Sequence, residues 1–70
     1  MSNLPSVTPR ELVKILVRRG YVLDRTKGSH QIYLHPINGK RIIVPMHCKD
    51  LPVGTLYEII KQAGISKEEL

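Results

Sequence analysis

The stretch that decides the fold is residues 29–45, SHQIYLHPINGKRIIVP. Residues 29–35 alternate between the two faces of a strand, and residues 40–44 are rich in side chains that favour β-structure. Between them, Pro36-Ile37-Asn38-Gly39 is expected to be a turn, because Asn-Gly strongly favours a hairpin, and Pro45 ends the second run. The stretch therefore predicts two antiparallel strands joined by a tight turn.

Helix signals lie upstream of these strands. Thr8 is a preferred N-cap, Pro9 suits the first helical position, and Glu11 can complete a capping box with Thr8. Apolar residues then recur at helical spacing until Gly20, a residue that commonly follows a helix. A first helix is therefore expected over about residues 8–19.

The remaining segments complete the order of elements. Residues 21–25 are a short run of β-formers that precedes a turn at Thr26-Lys27-Gly28. Residues 52–63 carry apolar side chains at helical spacing and predict a second helix. We therefore predict a single α+β domain over residues 1–70, similar to double-stranded-RNA-binding domains. Its order is α-β-β-β-α, with a three-stranded antiparallel sheet and both helices on one face.

Composition and net charge indicate which class of ligand the protein binds. The chain has 70 residues, with 11 Lys plus Arg, 6 Asp plus Glu and a pI of about 9.7. Residues 1–35 hold six cationic and two acidic side chains, a net +4, whereas residues 36–70 hold five and four, a net +1. A basic patch on a small domain favours a polyanion such as nucleic acid, although a merely solubilising surface has the same composition.

Cysteine usage and hydropathy bear on location. Cys48 is the only cysteine, so no disulfide within the chain is possible. No apolar run approaches the roughly 18 residues that a membrane span needs. Residues 1–5 lack the basic and apolar stretches of a secretory signal. We therefore expect a cytoplasmic protein with no membrane partner.

One short stretch concentrates the candidate chemistry: Lys27-Gly28-Ser29-His30. The glycine lets the backbone approach a ligand closely, and the lysine and serine side chains can bind a phosphate. The imidazole of His30 is suited to proton transfer near neutral pH. Its shared parity with Ile32 and Leu34 equally fits a ring that packs at the sheet edge, and composition alone favours that structural role.

Other residues are weaker candidates. His35 is expected to begin a turn, and His47 lies in the loop before the second helix, where it can contact a phosphate or lie on the surface. Cys48 is expected to be an inert small residue. The chain lacks zinc-ligand spacing, paired carboxylates for magnesium and a phosphate-binding loop. Without Phe or Trp, it also lacks an aromatic platform for stacking bases.

Several short motifs, taken in order, resemble the HicA toxin family. They are Arg19-Gly20-Tyr21, Lys27-Gly28-Ser29-His30, His35-Pro36, Val44-Pro45-x-His47, Asp50-Leu51-Pro52-x-Gly54-Thr55-Leu56 and Ile59-Ile60-Lys61-Gln62-Ala63-Gly64. The similarity extends from about residue 8 to Leu70.

This resemblance implies much that composition does not. Such proteins are the toxins of type II toxin–antitoxin systems, ribonucleases that cleave mRNA and so inhibit translation and growth, with no metal or other cofactor. Their functional histidine lies in the Gly-Ser-His motif, which is His30 here, and a HicB-type antitoxin covers the active surface. We therefore expect a metal-independent endoribonuclease with His30 as general acid or base and with Arg25, Lys27, Ser29 and His47 binding RNA.

Two other functions fit the fold and the charge. One is a non-catalytic double-stranded-RNA-binding module, and the other is a protein-interaction module whose basic face binds an acidic partner. Cleavage of a long mRNA by the purified protein distinguishes a nuclease from both. The resembling motif assigns no second proton carrier, and His47 is the candidate for that role.

Overall fold

The computed structural model describes residues 4–70. Six elements follow one another: α1 Pro9–Arg18, β1 Val22–Lys27, β2 His30–Leu34, β3 Arg41–Pro45, α2 Val53–Ala63 and a 3₁₀ turn at Lys67–Glu69. The predicted α-β-β-β-α order is confirmed. The prediction of no secretory signal falls partly on residues 1–3, which lie outside the described residues. No helix within residues 4–70 is both long and apolar enough to cross a membrane.

The N-terminus of α1 forms as its sequence predicts. The Glu11 amide donates to the Thr8 hydroxyl (3.1 Å), and the Thr8 amide donates to the Glu11 carboxylate (2.9 Å), so the capping box is complete. Pro9 occupies the start of the helix, where its missing amide costs no hydrogen bond. At the other end Gly20 adopts a φ of 99°, which turns the chain towards β1.

The strands form one antiparallel sheet in the order β1-β2-β3. The turn between β1 and β2 is Gly28-Ser29, and Gly28 alone of the two has a positive φ (60°), the pattern of a type II′ hairpin. The expected turn at Thr26-Lys27-Gly28 is displaced towards the C-terminus, because Thr26 and Lys27 pair with β2, and β1 therefore extends to Lys27 rather than ending at residue 25. A bulge at Asp24 interrupts the pairing of β1 with β2.

Both helices pack on one face of the sheet. The largest fully buried side chains come from both helices and from β3: Leu12, Leu16, Ile42, Val44 and Leu56. Tyr33 of β2 joins this core. Burial of each such leucine or isoleucine side chain contributes about 1.5–3 kcal/mol, which is what holds the helices to the sheet.

The opposite face of the sheet is uncovered. Cross-strand pairing places nine residues on this surface, called here the open face: Val22, Arg25, Lys27, His30, Ile32, Leu34, Arg41, Ile43 and Pro45. The predicted shared parity of His30, Ile32 and Leu34 is confirmed, but these residues lie on the side away from the helices. Val22 and Ile43 remain 50% and 55% exposed there.

Candidate active site

His30 is the first residue of β2 and lies on the open face, directly after the Gly28-Ser29 turn. The residue is exposed, and its ring has no hydrogen-bond partner within residues 4–70. The expectation that the ring packs at the sheet edge is therefore wrong, because the face it shares with its apolar neighbours is the uncovered one. Its nitrogens are accessible to a ligand.

The loop after β3 brings His47 beside this residue. The register of β2 with β3 places Pro45 opposite His30, and the Met46 amide donates to the Ser29 carbonyl (2.7 Å). The chain therefore passes the Gly28-Ser29 turn just before His47. The Ser29 hydroxyl lies 3.3 Å from Nδ1 of His47, and the centroids of the His30 and His47 rings are 5.9 Å apart. Two exposed imidazoles, 17 residues apart in sequence, thus share one site.

Cations line the same end of the sheet. Lys27 is the cross-strand partner of His30, so both side chains project from the open face. Arg25 lies on the same face two residues before Lys27, opposite Ile32. Its Nε is 3.3 Å from the Asp24 carboxylate. That ion pair is exposed and so holds Arg25 only weakly. The predicted residues Lys27, Ser29 and His47 therefore meet at His30, with Arg25 at the margin.

The third histidine, His35, does not belong to this site. Its Nδ1 accepts hydrogen bonds from the Ile37 and Asn38 amides (3.3 and 3.4 Å). Because Nδ1 is an acceptor, Nε2 carries the proton and donates to the Arg19 carbonyl (3.2 Å). The expectation that His35 begins a turn agrees with this geometry, since both ring nitrogens bond to backbone groups.

The two core tyrosines are unsuited to acid–base work. Burial raises the pKa of Tyr33, whose hydroxyl donates to the Gln31 side chain (2.7 Å). Burial likewise raises the pKa of Tyr21, although the nearby Arg19 charge partly opposes this shift. Both phenols therefore stay protonated near neutral pH. The side chains suited to proton transfer at the site are the imidazoles of His30 and His47.

The sequence predicted His47 only as a weak candidate and gave no direct sign that its ring lies beside His30. The register of the hairpin between β2 and β3 could have been predicted, because the hairpin sets which residues face each other. Counting from the His35–Lys40 pair at the hairpin base brings position 45 opposite position 30. This register brings the chain past His30 at Pro45, whereas the position of the His47 ring depends on the contacts of the loop that follows.

Cys48 adds one further contact, with its sulfur 3.9 Å from Nε2 of His47. The thiol is partly buried and touches the site through that ring. Within residues 4–70, no three His, Cys, Asp or Glu side chains cluster closely enough to hold a metal ion. The arrangement consists of proton carriers, a hydroxyl and cations, which suits binding and proton transfer on a phosphate ester.

Fold and site together define a class of protein: a small basic α+β domain with an exposed histidine pair and cations at one end of an uncovered sheet. A comparison with protein families matches residues 9–65 to the model described as the HicA toxin of bacterial toxin-antitoxin. A comparison with curated proteins finds no match. Since the family model spans most of the chain, this protein belongs to the HicA toxin family. It is the toxin of a toxin–antitoxin system, and a cognate antitoxin is its partner.

Proposed function

We propose that this toxin is an endoribonuclease that cleaves mRNA, with His30 as its general acid or base. The observation that carries the proposal is the pair of imidazoles with centroids 5.9 Å apart, on a surface that also presents Lys27. RNA contains its own nucleophile, the ribose 2′-OH beside each phosphate. An enzyme that uses it needs to move two protons and to stabilise negative charge, and these side chains suit both tasks.

The reaction requires one proton acceptor and one proton donor. One imidazole accepts the 2′-OH proton while that oxygen bonds to the adjacent phosphorus. The bond from phosphorus to the 5′-oxygen of the next nucleotide breaks, and a protonated imidazole gives this oxygen a proton. The products are a 2′,3′-cyclic phosphate and a free 5′-OH. His30 carries one transfer and His47 is the candidate for the other, each contributing about 10²–10⁴-fold.

Arg25, Lys27, Ser29 and His47 are proposed to bind the RNA backbone. Lys27, directly across from His30, is placed to neutralise the charge that develops on the attacked phosphate. The Ser29 hydroxyl both contacts His47 and can donate to a phosphate oxygen. Because these contacts address phosphates rather than bases, binding should weaken steeply as salt concentration rises.

A HicB-type antitoxin is the proposed partner that blocks this activity. An antitoxin that covers the open face would hide His30 together with the half-exposed Val22 and Ile43. Because the proposed substrate is mRNA, we expect the toxin to act in the cytoplasm and there to inhibit growth. An antitoxin whose surface is acidic would associate faster with this basic surface, because opposite charges attract.

The test is cleavage of a long mRNA by purified protein in the presence of EDTA. We expect wild type to yield fragments ending in 2′,3′-cyclic phosphates, and His30→Ala to lose about 10²–10⁴-fold in rate. Because His30 is exposed, the thermal unfolding of the His30→Ala variant should be the same as that of the wild type. Retention of the wild-type rate by His30→Ala would refute the proposal, and a strict requirement for added magnesium would refute metal independence.

The same reactions separate the alternative functions. A non-catalytic double-stranded-RNA-binding module would shift the mobility of duplex RNA but leave the mRNA intact. A matched pair of charge variants sharpens the comparison: Lys27 lies beside His30, whereas Lys14 lies on the exposed side of α1. Both Lys27→Ala and Lys14→Ala remove one charge, and we expect only Lys27→Ala to slow cleavage by about tenfold or more.

A further inference from the structure

The two edges of the sheet differ. The β1 edge is interrupted by the bulge at Asp24, a feature that discourages pairing with another strand. The β3 edge is regular over Arg41–Pro45, because β3 pairs with β2 without a register shift. A regular edge strand presents unpaired backbone groups to which another strand can bond.

The hydrogen-bond pattern identifies those groups. The His35 amide donates to the Lys40 carbonyl (2.9 Å), and the Met46 amide donates to the Ser29 carbonyl (2.7 Å). Bonded pairs alternate along an antiparallel ladder, so the even-numbered residues of β3 bond to β2. Arg41 and Ile43 therefore direct their amides and carbonyls away from the sheet. Pro45 adds a carbonyl at the end of the edge.

A groove runs along this edge. Its strand wall is formed by Arg41 and Ile43, and its helix wall by Gly54, Glu58 and Gln62 of α2. Gly54 has open space where a side chain would begin, so nothing fills the groove there. Binding of an extended peptide between an edge strand and a helix is an established mode of recognition, in which backbone bonds supply affinity and side-chain pockets supply specificity.

We propose that an extended segment of the cognate antitoxin pairs with Arg41 and Ile43 as a fourth strand, in the groove between β3 and α2. The edge alternates donors and acceptors, which matches a peptide backbone, whereas its outward carbonyls would repel RNA phosphates. The inference rests on the toxin–antitoxin assignment and does not depend on how RNA is cleaved.

The charges around the groove indicate the chemistry of that segment. Arg41 borders the edge, and Lys40 lies next to it with its ammonium bonded to the Gln62 carbonyl (3.1 Å). The N-terminus of α2 opens beside Gly54, and no side chain caps it. Glu58 on the helix wall is negatively charged, so an acidic side chain of the antitoxin strand is favoured beside Arg41 and not beside Glu58. Ile43, 55% exposed, favours an apolar side chain on the open face. One end of such a strand would lie beside Pro45, the cross-strand partner of His30.

Amide exchange measured by NMR tests the pairing directly, with purified cognate antitoxin as the probe and His30→Ala as the toxin to avoid toxicity. In the free protein the Arg41 and Ile43 amides should exchange quickly and those of Ile42 and Val44 slowly. In the complex we expect exchange at Arg41 and Ile43 to slow by about tenfold or more. Unchanged exchange at both positions in a formed complex overturns the inference and leaves the toxin assignment standing.

Two substitutions at one position provide a matched control. Gly54→Phe should fill the groove and weaken antitoxin binding by about tenfold or more, whereas Gly54→Ala should bind as wild type does. Without antitoxin, both should still arrest growth, so that Gly54→Phe becomes a toxin that its antitoxin neutralises poorly. Loss of growth arrest by a folded Gly54→Phe would assign the groove to RNA instead and overturn the inference. Absence of growth arrest by wild type would contradict the proposed function itself.

Discussion

The two ends of β2 each carry a histidine, and the two rings are held in opposite ways. His30, at the start of the strand, is exposed and has no hydrogen-bond partner in the described part of the chain, with Lys27, Ser29 and His47 as polar neighbours. His35, just past the end, is bonded through both nitrogens to backbone groups. A ring with free nitrogens can exchange protons with a substrate, whereas a ring whose nitrogens are both engaged serves the fold.

The surroundings of His35 extend this contrast. Its ring packs edge-on against Tyr21 with centroids 5.0 Å apart, and its Nε2 bonds to Arg19. The Arg19 guanidinium in turn donates to the Glu69 carboxylate (3.0 Å) and to the Gly64 carbonyl (3.1 Å). This end of the molecule, called here the anchored end, ties α1, the sheet and the C-terminal turn together. Within residues 4–70, the hydrogen bonds beside His30 join the turn before β2 to the loop after β3 and do not engage the His30 ring, which leaves that ring free for a ligand.

The largest effect after loss of His30 should come from the second ring at the same end. We expect His47→Gln to lower the rate of RNA cleavage by about 10²-fold, because it removes one of two proton carriers while keeping a polar side chain. The double variant with His30→Ala should be little slower than His30→Ala alone, since the two rings act as a unit. If His47→Gln cleaves at the wild-type rate, His47 binds RNA at most and another group carries the second proton.

The opposite result is expected at the anchored end. His35→Ala leaves two backbone amides and one carbonyl without their partner, so we expect unfolding to become easier by about 1–3 kcal/mol. Cleavage per folded molecule should be unchanged. Urea denaturation measures the first quantity and a cleavage assay well below the midpoint measures the second. A loss of cleavage with unchanged stability would mean that His35 acts on substrate and that the contrast is wrong.

A smaller gain in stability is expected at Tyr21. Its hydroxyl is buried and has no hydrogen-bond partner among residues 4–70. Tyr21→Phe removes an unsatisfied polar atom and keeps the ring against His35, so we expect stabilisation of about 1 kcal/mol. Tyr33→Phe is the control, since its hydroxyl is bonded to Gln31 and its removal should stabilise nothing. Equal effects of the two changes in thermal melts would contradict this account.

The smallest effect concerns pH. The hydrogen bond from Arg19 holds the pKa of Glu69 below its ordinary value of 4.5. A lowered pKa in the folded state contributes stability above pH 4.5, and this contribution is lost as the pH falls through the folded value. The Arg19 side chain is exposed and that of Glu69 partly so, and the effect should therefore be slight and reduced by salt.

Substitution at two neighbouring positions isolates this effect. We expect Glu69→Gln to flatten the acid side of a melting-temperature profile, and Glu68→Gln to leave its shape unchanged. Identical acid-side profiles for wild type and Glu69→Gln would show that the Arg19–Glu69 pair does not contribute to folding.

The parts of the fold that were predictable rest on local signals. The capping box of Thr8 and Glu11, the turn Pro36-Ile37-Asn38-Gly39 and the end of α2 at Gly64 each act within a few residues, so the sequence shows them directly. The end of β1 was harder to predict, because Gly28 indicates a turn without showing whether Thr26 and Lys27 belong to it or to the strand. Only pairing with β2 shows that Lys27 belongs to the strand.

The face of the sheet that forms the core was harder to predict. Alternation separates Ile32 and Leu34 from Tyr33, but it does not say which set the helices cover. The structure buries Tyr33, whose hydroxyl bonds to Gln31, and leaves Ile32 and Leu34 on the open face. The choice depends on β3, where Ile42 and Val44 are buried, and so on contacts between distant segments.

The sequence by itself determined the order of elements, the basic character of the chain and the Gly-Ser-His motif, because these depend on neighbouring residues or on composition. Tertiary structure decided that His30 faces solvent, that His47 lies beside it and that His35 does not take part. The physical reason is that burial and cross-strand pairing are set by packing among α1, the sheet and α2. Which of three chemically identical imidazoles keeps its nitrogens free is a property of that packing.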